Sequence, residues 1–386
     1  MRDGWKARTL GEICNLTKGT TPTLKAVPGR YPLVVTAADF LTSENYQFEG
    51  EAVCVPMVSS TGHGHASLKR VHYVRGKFAV ANIITALQRK ADAPVDMKFL
   101  WLLLDHGKDE IIVPLMKGTA NVSLSQKALS SATINLPPLP DQRRIVDLIS
   151  ALDDTIAKAE CCATAAQEAR RAYVRAISTE GDQVTIESVA VVSQGRSLPK
   201  KVQGTKSGNL PWFKIADMAQ PHNMFGYRQA ETQMGLQEII GLGGHIVPAG
   251  AVVFPRVGAA VQTEKKRLML VDGAVDENHL VLTPRSGTPS EVLLAVMENF
   301  SLSSLVQTGA VPSLNMGLIR ATRVPWVEPA KATAAARLLG DMREAARARA
   351  ELVAHLRTLR SNLLTVLLSG EHEIPESYDE LLGEAS

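Results

Sequence analysis

The side chains best suited to chemistry here are bases, hydroxyls and amides gathered where glycine and proline interrupt the chain. Lys18, Thr20 and Thr21 flank Gly19 and run into Pro22. Ser59, Ser60, His63 and His65 share a loop with two glycines, and Lys69 and Arg70 follow closely. The second half offers Arg196, Lys200, Lys201 and Lys214, then Arg256, Gln262, Lys265, Lys266 and Arg267. Lysine and arginine neutralise phosphate oxygens and position a protein on a duplex, whereas Arg, Gln, Ser and Thr can also address base edges. These two sets are the candidate DNA-binding residues.

Catalytic patterns fail on inspection. Pro137-Pro138 invites comparison with the Asp/Asn-Pro-Pro-aromatic signature of amino-methyltransferases, but Leu136 and Leu139 supply neither an amine acceptor nor a stacking ring. The stretch Gly241-Leu242-Gly243-Gly244 lacks a following Lys-Ser/Thr and is a poor phosphate loop. Glu264-Lys265-Lys266 holds a Glu-x-Lys fragment used by some nucleases, yet in so charged a stretch it reads as a solvated hairpin turn. His63-x-His65 has no acidic or cysteine ligand nearby, so a polar loop is expected there and no metal. No catalytic residue is assigned.

These loops must be held by larger elements. The proline strap Leu136–Pro140 leads, with Asp141 as expected N-cap, into a run without proline or glycine that extends to Gly181. Ile145, Leu152, Ala159, Ala166 and Tyr173 fall on one heptad position, and Leu148, Thr155, Cys162, Ala169 and Ala176 on the other, which predicts a long coiled-coil helix. A second such run covers about 331–368, with Met342, Leu356 and Leu363 on one position and Leu338, Ala345, Leu352, Leu359 and Val366 on the other. The segments before the two runs repeat faintly. Thr9-Leu10-Gly11-Glu12-Ile13 and Gly19 are answered by Thr185-Ile186-Glu187-Ser188-Val189 and Gly195, Pro32 and Asp39 by Pro211 and Asp217, and Ser123-Leu124-Ser125 by Ser313-Leu314-Asn315. The expected plan is α+β. It has domain 1 over 1–140, a central spacer helix over 141–178, domain 2 over 179–330, a C-terminal spacer helix over 331–370 and an acidic tail over 371–386. Both domains mix strands and short helices. The two helices pair antiparallel, and the repeat gives an internal pseudo-twofold.

Composition sets the compartment and the charge. A chain of 386 residues with 45% hydrophobic content accommodates two cored domains. Four cysteines, two of them adjacent, form neither a disulfide framework nor a zinc spacing, and no signal or membrane-spanning run is seen, so a cytoplasmic protein is expected. Net charge is +5 over 1–140, zero over 141–178 and 179–330, +3 over 331–372 and −5 over 373–386. The acidic tail is expected to be solvated, or to lie over the basic face of the first domain.

The strap and helix, "NLPPLPDQRRIVDLISALDDTIAKAE", resemble the central segment of specificity subunits of type I restriction–modification enzymes. The finish Leu363–Glu371 resembles that family's ending, whereas Val324-Pro325-Trp326-Val327-Glu328-Pro329 departs from its usual second strap. The resemblance implies two target-recognition domains that read a bipartite site in double-stranded DNA, with the helices as ruler. It implies a non-enzymatic chain that docks two modification subunits using S-adenosylmethionine and, in the full complex, a restriction subunit using ATP and Mg. No cofactor is implied in this chain. From the residues alone a second reading stays open, a protein-binding scaffold with a coiled-coil spacer. Duplication of a basic-loop domain favours the first reading, and the neutral sum over 179–330 favours the second.

Overall fold

The computed structural model describes residues 4–61, 64–119, 121–177, 181–307 and 312–380. They form two compact units, unit 1 from Met1–Ala157 with Ala354–Ser386 and unit 2 from Lys158–Val353. The architecture is the expected mixed α+β plan with two long helices, Leu139–Ile177 and Pro329–Leu368. No described helix is long and apolar enough to cross a membrane.

Unit 1 is built on a six-stranded sheet in the order Cys14–Lys18, Ile84–Arg89, Phe48–Pro56, His72–Val80, Tyr31–Val34, Leu41–Ser43. Both faces of its middle are covered. Along Phe48–Pro56, Ala52 and Cys54 enter one apolar cluster with Phe78 and Leu33, while Val53 and Val55 enter another with Phe99, Leu100 and Ile149. Alternation of period two therefore puts apolar side chains on both sides of one strand. Helix Met97–His106 starts at Asp96, whose carboxylate accepts from the backbone N–H of Lys98 and Phe99. Lys6–Thr9 pairs with Thr133–Leu136 and ties the start of the chain to the strap.

Unit 2 repeats this order of elements with one break. Ala190–Gln194, His279–Pro284, Val252–Pro255 and Arg267–Leu268 form a four-stranded sheet, and Thr232–Met234, Leu210–Phe213 and Ala274–Val275 form a three-stranded one. The long strand His72–Val80 of unit 1 thus has two short counterparts, Arg267–Leu268 and Ala274–Val275, separated by a segment containing Asp272-Gly273. Turn chemistry inside the strand divides the sheet. Asp182–Thr185 pairs with Arg323–Trp326, as the first strand does with the strap in unit 1.

The long helices match the sequence in extent but not wholly in register. The first begins at Leu139, so Pro140 and Asp141 lie in its opening turn, where proline lacks only an N–H that has no intrahelical partner anyway. Its buried line is Gln142, Ile149, Ile156 and Ala163, beside Ile145 and Leu152; Thr155, Cys162, Ala169 and Ala176 are exposed. In the second helix Ala332, Leu339, Ala346, Val353 and Leu367 are buried, whereas Leu338, Leu352 and Leu359 are 41%, 51% and 47% exposed. One heptad position of each expected seam is therefore displaced by one residue. The i,i+3 and i,i+4 choices both offered apolar residues, and the position that faces the partner helix is the one that is buried. In unit 1, Ile145 and Ile149 share a core with Leu364 and Leu367, and Arg360 forms a two-bond pair with Asp153, so the helix segments run antiparallel. In unit 2, Val174 shares a core with Ala332, Ala335 and Leu339.

Gln142 of the strap motif is fully buried. Its amide donates to the carbonyls of Pro137 (2.8 Å) and Pro94 (3.0 Å) and accepts from the N–H of Asp96 (2.8 Å). One side chain thereby joins the strap, the helix and the capping residue of Met97–His106.

The tail is attached to unit 1. Gly370, at φ 77°, stops the second helix, and Ile374 then packs against the main core of unit 1. Asp379 accepts from Arg144 at Nε (2.8 Å) and Nη2 (2.6 Å), and Asp141 accepts from the same guanidinium at 3.0 Å. The described part of the tail thus lies on the opening turns of the first long helix, not over a basic domain face. Leu381 and Leu382 lie outside the described residues.

Two outcomes follow. Leu339→Ala should destabilise the protein by about 2–5 kcal/mol, whereas Leu338→Ala should change stability by at most about 0.5 kcal/mol in urea or thermal unfolding. Equal losses would restore the Leu338 seam. The hydrogen bonds and charge of Arg144 hold the Asp379 carboxyl below its usual range. A depressed carboxyl stabilises the attachment above its unfolded pKa, and that contribution is lost as pH falls through the folded value. Protection of 374–380 against hydrogen exchange, taken relative to the intrinsic rate at each pH, should fall as the pH drops below about 4, and Asp379→Asn should show the low protection already at neutral pH.

Candidate nucleic-acid interface

Lys18, Thr20, Thr21, Ser59 and Ser60 in unit 1, and Arg196 and Arg256 in unit 2, are brought together through four backbone segments that recur in both units, whereas the other unit 2 candidates lie outside those segments. In unit 1 the segments are Lys18–Thr21, the turn Ala81–Ile83, the chain leaving Pro56 through Ser60, and Lys117–Leu124. Gly19 N–H donates to Ile84 O (2.9 Å), Met57 N–H to Ile83 O (2.8 Å), Ser59 N–H to Val122 O (3.0 Å) and Leu124 N–H to Met57 O (2.9 Å). Unit 2 answers each bond. Gly195 donates to His279 (3.2 Å), Arg256 to Asn278 (2.7 Å), Gly258 to Pro312 (2.8 Å) and Leu314 to Arg256 (2.9 Å). The turns match as well, with Ile84 N–H on Ala81 O (2.9 Å) and His279 N–H on Asp276 O (3.1 Å). Bridges Val58–Ser123 and Val257–Ser313 complete the correspondence.

The glycines seen in the sequence repeat have a steric reason. A Cβ on Gly19 would lie 2.3 Å from Ala81 O and 2.4 Å from Val80 O; on Gly195 it would lie 2.0 Å from Asp276 O and 2.4 Å from Val275 O. Only glycine lets this loop press against the turn.

In unit 1, Lys18 and Thr20 are exposed, and Gln47 clamps them by donating to Lys18 O (3.0 Å) and accepting from Thr20 N–H (3.0 Å). Thr21 is half-buried between Val80 O and Asn82 N–H (3.2 and 3.0 Å). Ser59 spends its hydroxyl inside the loop, donating to His65 O (2.6 Å) and accepting from Ser67 N–H (3.1 Å). Ser60 Oγ accepts from Lys69 N–H (3.0 Å) and so draws Lys69, whose side chain is exposed, to the cluster. His65 is exposed, Arg70 is half-buried, and His63 lies outside the described residues. Among the described residues no group of His, Cys, Asp and Glu could hold a metal ion.

In unit 2, Arg196 is exposed and its N–H donates to Val275 O (3.0 Å). Arg256 lies across the same turn, with Nη1 3.5 Å from Glu277 O. Lys200, Lys201 and Gln262 are exposed, Lys265 is half-buried, and Lys214 is partly buried with Nζ 3.4 Å from Glu231. Two expectations fail. Lys266 is 5% exposed, its ammonium held by Glu264 (2.8 Å) and Phe300 O (2.8 Å); Arg267 spends its guanidinium on the carbonyls of Asn223, Lys266 and Met218. Glu264-Lys265-Lys266 is accordingly not a solvated turn. Glu264 caps the turn at Leu302–Ser303, and hydrogen bonds from Lys266 and those two N–H groups outweigh its burial and bring its pKa to about 2.

A buried chain of side chains fixes the unit 2 turn. His279 Nδ1 lies 2.7 Å from Asp276 and its Nε2 2.8 Å from the Tyr227 hydroxyl, and Tyr227 stacks on Phe213 at 4.3 Å. The carboxylate can only accept, so Nδ1 donates to it. Burial raises Asp276, but bonds from His279, Ile215 N–H and Asn278 N–H leave it below the usual carboxylate range. The sequence reading missed Gln47, Asn82, Asp276, Glu277 and Asn278, which are isolated polar residues whose position only strand pairing reveals.

Residues 2–160 match the family described as type I restriction modification DNA specificity domain. The S subunit of a type I restriction–modification system from M. genitalium has a TM-score of 0.67 over 94% of this chain and 96% of that one, at 13% identity. A chain from a structure addressing complex assembly and conformational transition of the type I R-M system gives 0.52 over 95% and 98%, at 16% identity. Among curated sequences none matches significantly. Residues 2–160 thus match the model of a type I restriction modification DNA specificity domain, and the whole chain shares the fold of the S subunit of such a system.

Proposed function

We propose that this chain is the component that reads a bipartite site in duplex DNA, one half-site for each unit, and delivers modification subunits to it. The supporting observation is the one-for-one correspondence of the backbone bonds that gather the four loop segments in both units, since two copies of one reading platform suit two half-sites. Lys18, Lys69, Arg196 and Arg256 would engage phosphates there, with Thr20, Ser60 and Gln262 as further polar contacts. Lys266 and Arg267 take no part.

The partners would be two modification subunits bringing S-adenosylmethionine and, in the full complex, a restriction subunit bringing ATP and Mg. Leu338 and Leu352, exposed two heptads apart on the part of the second long helix that belongs to unit 2, offer an apolar line for a partner helix. Arg144 and Arg343 do not serve there, because they are held by Asp379 and Asp141 and by Glu291 and Glu344.

With its modification subunits, the protein should prefer one bipartite duplex over random competitor, and affinity should fall about 10³-fold between roughly 50 and 200 mM salt. Equal binding to all duplexes refutes the reading. Gly19→Ala should relax one half-site and Gly195→Ala the other. Leu352→Asp should reduce co-purification of modification subunits while leaving the unfolding midpoint nearly unchanged; undiminished assembly would remove that line from the docking surface.

A further inference from the structure

The strand-connecting turn at the centre of each loop cluster has a role that the basic residues do not cover. In unit 1 its tip is Asn82-Ile83, and in unit 2 it is Glu277-Asn278. Asn82 is exposed. Its N–H is fixed on Thr21 O, so the backbone position is set, and among the described residues no hydrogen bond occupies the side-chain amide. Glu277 is exposed at the corresponding place, between exposed Arg196 and half-buried Arg256. Among the described residues its carboxylate has only a 3.5 Å approach from Ser197 Oγ, and its carbonyl receives Arg256 Nη1. The turn beneath it is held rigid by the buried Asp276–His279–Tyr227 chain.

A carboxylate in a surface that must approach phosphates is repelled unless it meets a donor, and the donors a duplex offers are base amines. Glutamate accepts from the N4 amine of cytosine, and asparagine pairs two-fold with N6 and N7 of adenine. We propose that these tips are the specificity-determining contacts: Glu277 selects a cytosine in the half-site read by unit 2, and Asn82 an adenine in that read by unit 1. The flanking cations position the backbone, and each tip side chain discriminates at one base pair.

This inference rests on the bipartite reading above, and one experiment separates the two. The full complex with modification subunits is used to map the methylated motif, and competition binding is measured on duplexes substituted one position at a time. Wild type must first yield a bipartite motif; if it yields none, the DNA reading itself fails. Given a motif, Glu277→Gln should lose preference at one position of one half-site by about ten- to hundredfold and shift toward adenine there. Asn82→Ala should relax one position of the other half-site. Both side chains are exposed, so unchanged unfolding midpoints serve as the folding control. A motif unaltered in both variants, or a loss of affinity uniform over all positions, overturns the assignment.

Discussion

The recognition surface depends on a contact too close to admit a side chain. In each unit a glycine N–H meets a carbonyl just past the strand-connecting turn, while the glycine Cα lies against two carbonyls of the turn itself. Because the backbone closes this approach, neighbouring side chains remain free for another molecule. Loops that must differ in what they bind can then vary in side chain while the platform stays fixed. The two units show this, with Lys18-Gly19-Thr20 in one and Gln194-Gly195-Arg196 in the other.

Charge makes the same point. The neutral sum over 179–330 is the strongest sequence argument against a polyanionic partner. In the structure many of those charges face inward. Lys266 lies on Glu264 and a carbonyl, Arg267 on three carbonyls, and Glu298 takes its partner, Arg170, from outside that stretch. The sum therefore counts groups that hold elements together and says little of the surface, where Arg196, Lys200 and Lys201 are exposed.

Much of the architecture was legible. A proline- and glycine-free run of that length permits little besides a long helix, and the faint repeat marked Gly19 with Gly195 and Ser123 with Ser313 correctly. The seam was half legible: Ile145 was placed correctly, but Leu148 and Ile149 are both apolar, and only the partner helix decides between them. Within the candidate site residue type was readable and burial was not, so Lys266 and Arg267 stood beside Arg196 as equals. Gln47, Asn82 and Glu277 gave no signal, since each depends on a partner across the sheet.

The division of the chain also bears on synthesis. Unit 2 is one continuous stretch, whereas unit 1 takes its opening segment and first half-helix from one end of the chain and Ala354 onward from the other. Domains generally fold as they leave the ribosome, the earlier before the later. The core around Ile145 and Ile149 lacks Leu364, Leu367 and Ile374 until the segment after unit 2 has been made, so the unit begun first is completed after the second. A truncated product would carry a finished second unit beside a first whose apolar helix face is still open.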